Sequence, residues 1–240
     1  MSAFGTVLAV TRSAMRDLGH REIIWHVLWP PLVATVAWIG IGVSFWQEAN
    51  SVLLALLPAM SWSGGQWIGS IAANFLLIVT LGAMIYCTTL ILVGTVSLPL
   101  MMARIAARDY PDLQRHGENA FWGSIANTLA ASAIFIVVWL LTLPLLLIPG
   151  AVLVIPMALT AWLNQRSFRF DSLAEHATTS ERKQLVKLER GSFALAGIVT
   201  ALAAAIPIVN LLAPGFGALV FVHLCLGLLR RLRNEQGVKL

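Results

Sequence analysis

Apolar residues run in long unbroken stretches along this chain, and charged residues mark where the stretches end. No Asp, Glu, Lys or Arg occurs in 23–47, 49–103, 119–165 or 191–229, which are 25, 55, 47 and 39 residues long. A helix needs about 20 apolar residues to cross a bilayer, so each stretch has length for at least one span. The first predicts a transmembrane helix over 27–45, with Pro30 and Pro31 in its first turn, where missing N–H groups cost least. The second predicts a long transmembrane helix over 68–103. A loop at 46–67, which holds Pro58, Gly64 and Gly65, precedes it.

The third and fourth stretches predict helical hairpins over 121–165 and 191–229, each with a broken centre. The breaks are Pro144 through Pro156, with Pro149-Gly150 inside, and Ile206-Pro207-Ile208-Val209-Asn210 through Pro214-Gly215. Each arm of the fourth stretch is about 15 residues, or about 23 Å at the helical rise. That is short of a hydrocarbon core of roughly 30 Å. The turns are apolar as well, so the pattern favours re-entrant hairpins that dip in and return. For the third stretch, two full crossings fit as well. Irregular backbone at membrane depth needs protein or a wet cavity around it, and Pro/Gly-broken apolar segments point to transport sites. The alternative is an ordinary tight turn between short tilted helices.

The remaining segments follow. Residues 1–26 predict an interfacial helix, with Phe4, Val7, Leu8, Met15 and Leu18 on one face and Arg12, Ser13, Arg16 and Asp17 on the other. Residues 104–120 are a loop and 166–190 a polar connection, in which Thr178 and Glu181 fit a capping box. Residues 230–240 are a tail. The whole is one membrane domain, 1–240.

Charge gives the orientation. All 16 Lys and Arg flank the stretches on one side: Arg12, Arg16 and Arg21 before the first helix, Arg104, Arg108 and Arg115 after the second, six across 166–190, and four in the tail. The 46–67 loop has none. By the positive-inside rule both termini and the basic connections are cytoplasmic, and that loop is external. Trp25, Trp29, Trp122 and Trp162 fall near the inner boundary and Trp46, Trp62 and Trp67 near the outer one.

Composition agrees. Apolar residues are 58% and charged residues 11%, with a mean hydropathy of +0.82; soluble domains carry about 25% charged residues. The net charge of +5 would suggest nucleic acid in a soluble chain. Here the basic residues flank spans without basic-aromatic arrays, which argues against it. Cys87 and Cys225 lie inside apolar stretches and read as small buried hydrophobes.

Candidate chemistry is sparse. Arg16, Gly19, His20 and Arg21 join the interfacial helix to the first span, where guanidinium and helix-start N–H groups can hold an oxyanion. The plainer reading is a set of headgroup anchors. Asp171 and His176 suit a structural clasp on the cytoplasmic connection better than a proton relay, and are too few for a metal site. Pro207, Asn210 and Pro214 mark the last hairpin's tip, where Asn210 can satisfy backbone groups the break exposes or line a constriction. Asn74 and Asn127 fit interhelical hydrogen bonds. No nucleotide, zinc-protease or serine-hydrolase motif occurs, so no catalytic residue, metal or cofactor is expected. Among Asp, Glu and His, His223 is the one residue within the predicted spans. That favours a channel-like path over a proton-driven carrier.

The order of elements resembles the CysZ-type sulfate permease family, which includes the etoposide-induced membrane proteins. The likeness rests on Gly19-His20-Arg21 leading to Leu28-Trp29-Pro30-Pro31, on Phe168-Arg169-Phe170-Asp171-Ser172-Leu173-Ala174-Glu175-His176 followed by Glu181-Arg182, and on Ile206 through Pro214. The resemblance implies an all-α integral membrane protein with two long transmembrane helices, two re-entrant hairpins and an N-terminal interfacial helix. It also implies a homo-oligomer in the bacterial inner membrane that admits sulfate or a similar oxyanion for cysteine synthesis. Sulfate-associated members read Tyr-Leu-Asp-Tyr-Pro before an Asn-His pair; here only Asp171 and His176 match the polar positions. A non-transporting membrane scaffold or assembly factor is the alternative. The lining of any central cavity, basic and polar or wholly apolar, separates the two.

Overall fold

The computed structural model describes residues 2–56, 65–117, 120–210 and 212–237. Every regular element among them is helical: α1 (Ala3–Asp17), α2 (Arg21–Leu56), α3 (Gly65–Leu92), a π-helical segment Val93–Ser97, α4 (Leu98–Asp109) and α5 (Ala120–Thr142). A 3-10 turn (Leu143–Leu147) follows, then α6 (Ala151–Ala174), α7 (Thr179–Leu188), α8 (Arg190–Ala204), α9 (Pro207–Asn210) and α10 (Ala213–Gln236). Four helices are long and apolar enough to cross a bilayer: Arg21–Leu56, Trp67–Asp109, Trp122–Leu147 and Ala213–Gln236. The chain is an integral membrane protein.

The two long helices exceed their predicted bounds. α2 starts at Arg21 and runs 36 residues, about 54 Å. Pro30 and Pro31 are therefore buried well inside it, not in its first turn. At its far end α2 continues through 46–56, where a loop was predicted, because Gln47, Glu48, Ala49 and Leu53 through Leu56 are good helix formers. Pro58, Trp62 and Gly64 of that loop lie outside the described residues. α3, the π segment and α4 form one rod of 43 residues from Trp67 to Asp109. α2 and α3 pack along each other through Trp38 Nε1 donating to Thr88 Oγ1 (2.8 Å) and Trp46 Nε1 donating to Asn74 Oδ1 (3.2 Å).

α10 is the centre. In its apolar window 83% of residues are buried inside the protein, against 22% for α2. α1, α6 and α8 pack around it, and α5 packs on the outside of α6. The α10 arm of the second hairpin is thus wrapped in protein, while Leu202 and Ile206 next to the break are exposed. α8 is 15 residues long, about 23 Å and short of a full crossing. In the first hairpin, α5 with its 3-10 extension has the length to cross. α6 continues as helix to Ala174, taking in the first part of the predicted 166–190 connection. The capping box at Thr178 and Glu181 then starts α7.

Close helix contact rests on glycine. A Cβ on Gly197 of α8 would lie 2.8 Å from the Ala161 carbonyl oxygen of α6, and one on Gly215 of α10 would lie 2.7 Å from Val27 Cγ1 of α2. Backbone is the obstacle at Gly197, so the helices must separate. Gly197→Ala is expected to lower stability by about 1–3 kcal/mol. Gly40→Ala, with nothing within 4 Å of its added Cβ, should be neutral or mildly stabilising. Thermal unfolding in detergent followed by tryptophan fluorescence checks both; equal melting temperatures for the two variants would contradict this packing.

Candidate functional site

Contacts among charged residues gather the four basic segments at one end of the molecule. Arg104 of α4 meets Glu22 at the start of α2 (3.4 Å), Arg108 meets Asp17 at the end of α1 (2.7 Å), and Arg230 of α10 meets Asp112 (2.7 Å). Arg115 approaches Glu175 (3.9 Å) and Arg233 meets Glu181 (2.7 Å).

Two of these pairings are buried. Asp17 is fully buried. Its Oδ1 and Oδ2 accept from Arg108 at 2.7 and 2.8 Å, and His223 Nε2 of α10 lies 2.9 Å from Oδ2. This corrects the sequence reading of α1, which put Asp17 on an outer polar face. Val7, Ala14 and Asp17 face inward, and Phe4, Leu8 and Met15 are exposed. Ligand atoms of Asp17, Asp109 and His223 lie within 4.8 Å of one another. Arg108 also bonds Asp109, so its guanidinium already bridges both carboxylates and the group reads as an ion-pair cluster.

Arg233 is also fully buried. Its Nε donates to Glu181 Oε1 (2.7 Å), Nη1 to the Gln114 carbonyl (2.8 Å), and Nη2 to the His176 carbonyl (2.7 Å) and Glu181 Oε2 (3.2 Å). Burial would raise the Glu181 carboxyl, but the Arg233 guanidinium and the Thr178 N–H and hydroxyl hold it below the usual range. Burial pushes the neighbouring His176 imidazole down to about 4, helped by Arg115 and Arg233.

A polar cavity opens beside this clasp, between α5, α6 and α7, with a volume of about 590 Å³. Trp162, Gln165, Arg166, Arg169 and Phe170 line it from α6. Their spacing of i, i+3, i+4, i+7 and i+8 makes one helix face. α7 adds Arg182 and Lys183, and α5 adds Asn127. Four cations therefore face one space. Among the described residues none of the four has a carboxylate within 4.0 Å, and no acidic residue lines the wall. Aromatic rings hold three of the guanidiniums: Arg182 sits 4.5 Å from the Phe170 ring centre, Arg166 5.4 Å from Trp162 and Arg169 5.6 Å from Phe193. Cation–π contact fixes their positions without neutralising them. Carboxamides of Asn127 and Gln165 complete a wall suited to an oxyanion.

A second cavity of about 430 Å³ lies farther along α6, at the hairpin breaks. Its wall is largely apolar, with Tyr86, Thr160 and Asn210 as polar points. Between the two levels, Tyr86 Oη donates to Asn164 Oδ1 (2.8 Å) and Asn164 Nδ2 to Thr200 Oγ1 (3.2 Å). α6 lines both cavities.

Residues 11–214 match the family described as Sulfate transporter CysZ/Etoposide-induced protein 2.4. The chain belongs to this family. The CysZ/etoposide-induced family is a transporter family, which places the chain, at that level, among sulfate-transporter-like membrane proteins. Comparison with curated proteins and with solved structures gives no match.

The residues expected to form this CysZ-family site are scattered. Arg16, Gly19, His20 and Arg21 are exposed around the turn from α1 to α2. The Gly19 and His20 N–H groups are used within that turn, donating to Arg16 and Asp17 carbonyls at 3.0 Å. His20 Nδ1 lies 3.9 Å from Asp17 Oδ1. Asp171 and His176 do not bond each other. Asp171 ties α6 to α5 through Ser124 and Thr128, and His176 serves the clasp through its carbonyl. Pro207 opens α9, and Pro214 is buried in the first turn of α10. Asn210 Nδ2 donates to the Ala204 carbonyl (2.6 Å), satisfying the break while its side chain borders the upper cavity. Asn127 Nδ2 reaches the Arg166 carbonyl (3.4 Å). Sequence reasoning missed Arg166, Arg169, Arg182 and Lys183, counting them as orienting charge. Their interleaving with Trp162 and Phe170 at helical spacing was the signal for them.

Proposed function

We propose that this protein is a permease or channel for a small oxyanion, sulfate, in the inner membrane of a bacterium, supplying sulfur for cysteine synthesis. Both termini and the basic end face the cytoplasm, and protomers assemble as a homo-oligomer in the bilayer. The observation that carries this reading is the cavity with four uncompensated cations. A scaffold needs such charge only to orient its spans, whereas sulfate is a tetrahedral dianion that guanidinium forks and carboxamides suit. The cavity volume falls in the range of small-molecule sites. The chain has no nucleotide motif, so transport proceeds without ATP hydrolysis of its own. The second cavity extends the route toward the hairpin tips. Arg16, Gly19, His20 and Arg21 form an outlying contact that draws oxyanions to the same face.

The test is radiolabelled sulfate uptake by liposomes carrying the purified protein. Uptake should exceed that of empty liposomes, and Arg21→Ala should lower it severalfold at subsaturating sulfate. No uptake by folded, reconstituted protein would remove the transport reading in favour of a scaffold.

A further inference from the structure

The cavity at the hairpin breaks, about 430 Å³, is walled by α3, α5, α6 and α8, and no charged residue lines it. Two of its polar points are tied into the protein: Tyr86 Oη donates to Asn164 and Asn210 Nδ2 to the Ala204 carbonyl. Trp139 stacks on Phe135, with ring centres 5.7 Å apart, and gives the wall a broad apolar surface. Ordered water needs about two to four polar partners per molecule, and apolar cavities stay dry. A void left unfilled forfeits the dispersion contacts of the side chains around it.

Depth identifies what fills the space. Trp67 to Asp109 is one continuous rod. On it Val79 and Tyr86, which line the cavity, stand 12 and 19 residues from Trp67, about 18 and 28 Å along the helix. Arg104, the first charge beyond them, is 18 residues past Tyr86, about 27 Å away. A hydrocarbon core about 30 Å thick covers this level, whether it is measured from Trp67 or centred between the two markers.

The rim is open sideways. Gly82 of α3, Leu153 of α6 and Ala205 after α8 line the cavity and are exposed. Gly82 makes the gap: a Cβ there would meet nothing within 4 Å. At this depth the surrounding solvent is acyl chain, which is as apolar as leucine.

We propose that this cavity is a lateral binding site for an acyl chain of a membrane phospholipid, which enters past Gly82 and lies against Tyr86, Trp139 and Met157. The site stands on the cavity and its depth alone. Its consequence for transport rests on the oxyanion reading above: the route proposed there passes this level, so a seated chain is an apolar plug that must withdraw before a dianion passes.

Phospholipid carrying a diazirine in mid-chain, mixed into liposomes with the purified protein and irradiated, labels what the chain touches, and peptide mass spectrometry locates the adducts. Tyr86 is 5% exposed, beyond the reach of lipid that only coats the outer surface. Wild type should carry adducts at Tyr86 and Met157 as well as at Val36 and Val43, which face outward on α2. Gly82→Leu puts a side chain across the rim and should reduce the cavity adducts severalfold, with those on α2 unchanged. Gly40→Leu, on α2 and with the same open space at its Cβ, should leave the cavity adducts as they are. Adducts confined to Val36 and Val43 in wild type overturn the proposal, and so do cavity adducts that persist in Gly82→Leu. Loss of cavity labelling as the protein is concentrated in the bilayer would mean that a second copy covers the rim, and also overturns it. If Gly82→Leu does not fold, the wild-type pattern decides alone. Labelling needs no sulfate, so a labelled cavity in protein that takes up no sulfate would remove the oxyanion reading and leave this site standing.

Discussion

Arg233→Ala should destabilise the protein by about 3–5 kcal/mol, the range for breaking a buried ion pair by removing one partner. The guanidinium is fully buried and makes four hydrogen bonds, two to Glu181 and one each to the Gln114 and His176 carbonyls. Truncation strands all of these acceptors. It also releases α10 from the α6–α7 connection and from the loop after α4. Arg233→Lys keeps the charge but cannot reproduce the fork, so an intermediate loss is expected. The control is three residues away. Arg230 pairs with Asp112 at 2.7 Å with both side chains partly exposed; such pairs contribute about 0–1 kcal/mol. Melting temperatures in detergent rank the variants. Equal losses for Arg233→Ala and Arg230→Ala would show that the clasp is not what holds this end together.

Removing two cavity arginines together, Arg166→Ala with Arg182→Ala, should weaken sulfate binding by about 100-fold or more. Hydrogen bonds to charged groups contribute about 1.5–3 kcal/mol each, or roughly tenfold or more per contact. Both side chains are partly exposed and pair with no carboxylate among the described residues, so the fold should tolerate the change. Arg12→Ala, on α1 and away from the cavity, removes the same kind of charge and should leave affinity within about twofold, as a screened surface charge does. Equilibrium dialysis with labelled sulfate separates these outcomes. An affinity loss shared equally by Arg12→Ala would reduce the cavity to part of a diffuse positive surface.

How much of this was legible in the sequence varies by element. Charge-free stretches exposed the long helices, and Pro149-Gly150 and the 206–215 run exposed the hairpin breaks, because both are local features of composition. The capping box and Asn210 bonding across its break are local too, spanning a few residues. Helix ends were misjudged where good helix formers carried α2 past Phe45 and where the Pro30-Pro31 pair was taken for a first turn. Long-range pairing was not legible. Asp17 and His223 are 206 positions apart, and no pattern in α1 distinguishes an acid that will be buried from one that faces water. Arg233 looked like one more orienting charge in a basic tail. The cavity cations were misread for the same reason: a basic flank orients a span and can line a site at once, and only the approach of Arg182 on α7 to Phe170 on α6 distinguishes the two.

The central claim is that an oxyanion is held among Arg166, Arg169, Arg182 and Lys183. Selenate has the shape and charge of sulfate, and its selenium scatters anomalously. Crystals grown from detergent or lipidic phase and soaked in selenate should show an anomalous peak inside the cavity between α5, α6 and α7, lost in the Arg166→Ala, Arg182→Ala double variant. A peak confined to the exposed turn at Arg16–Arg21, or a cavity empty at saturating selenate, would contradict the account.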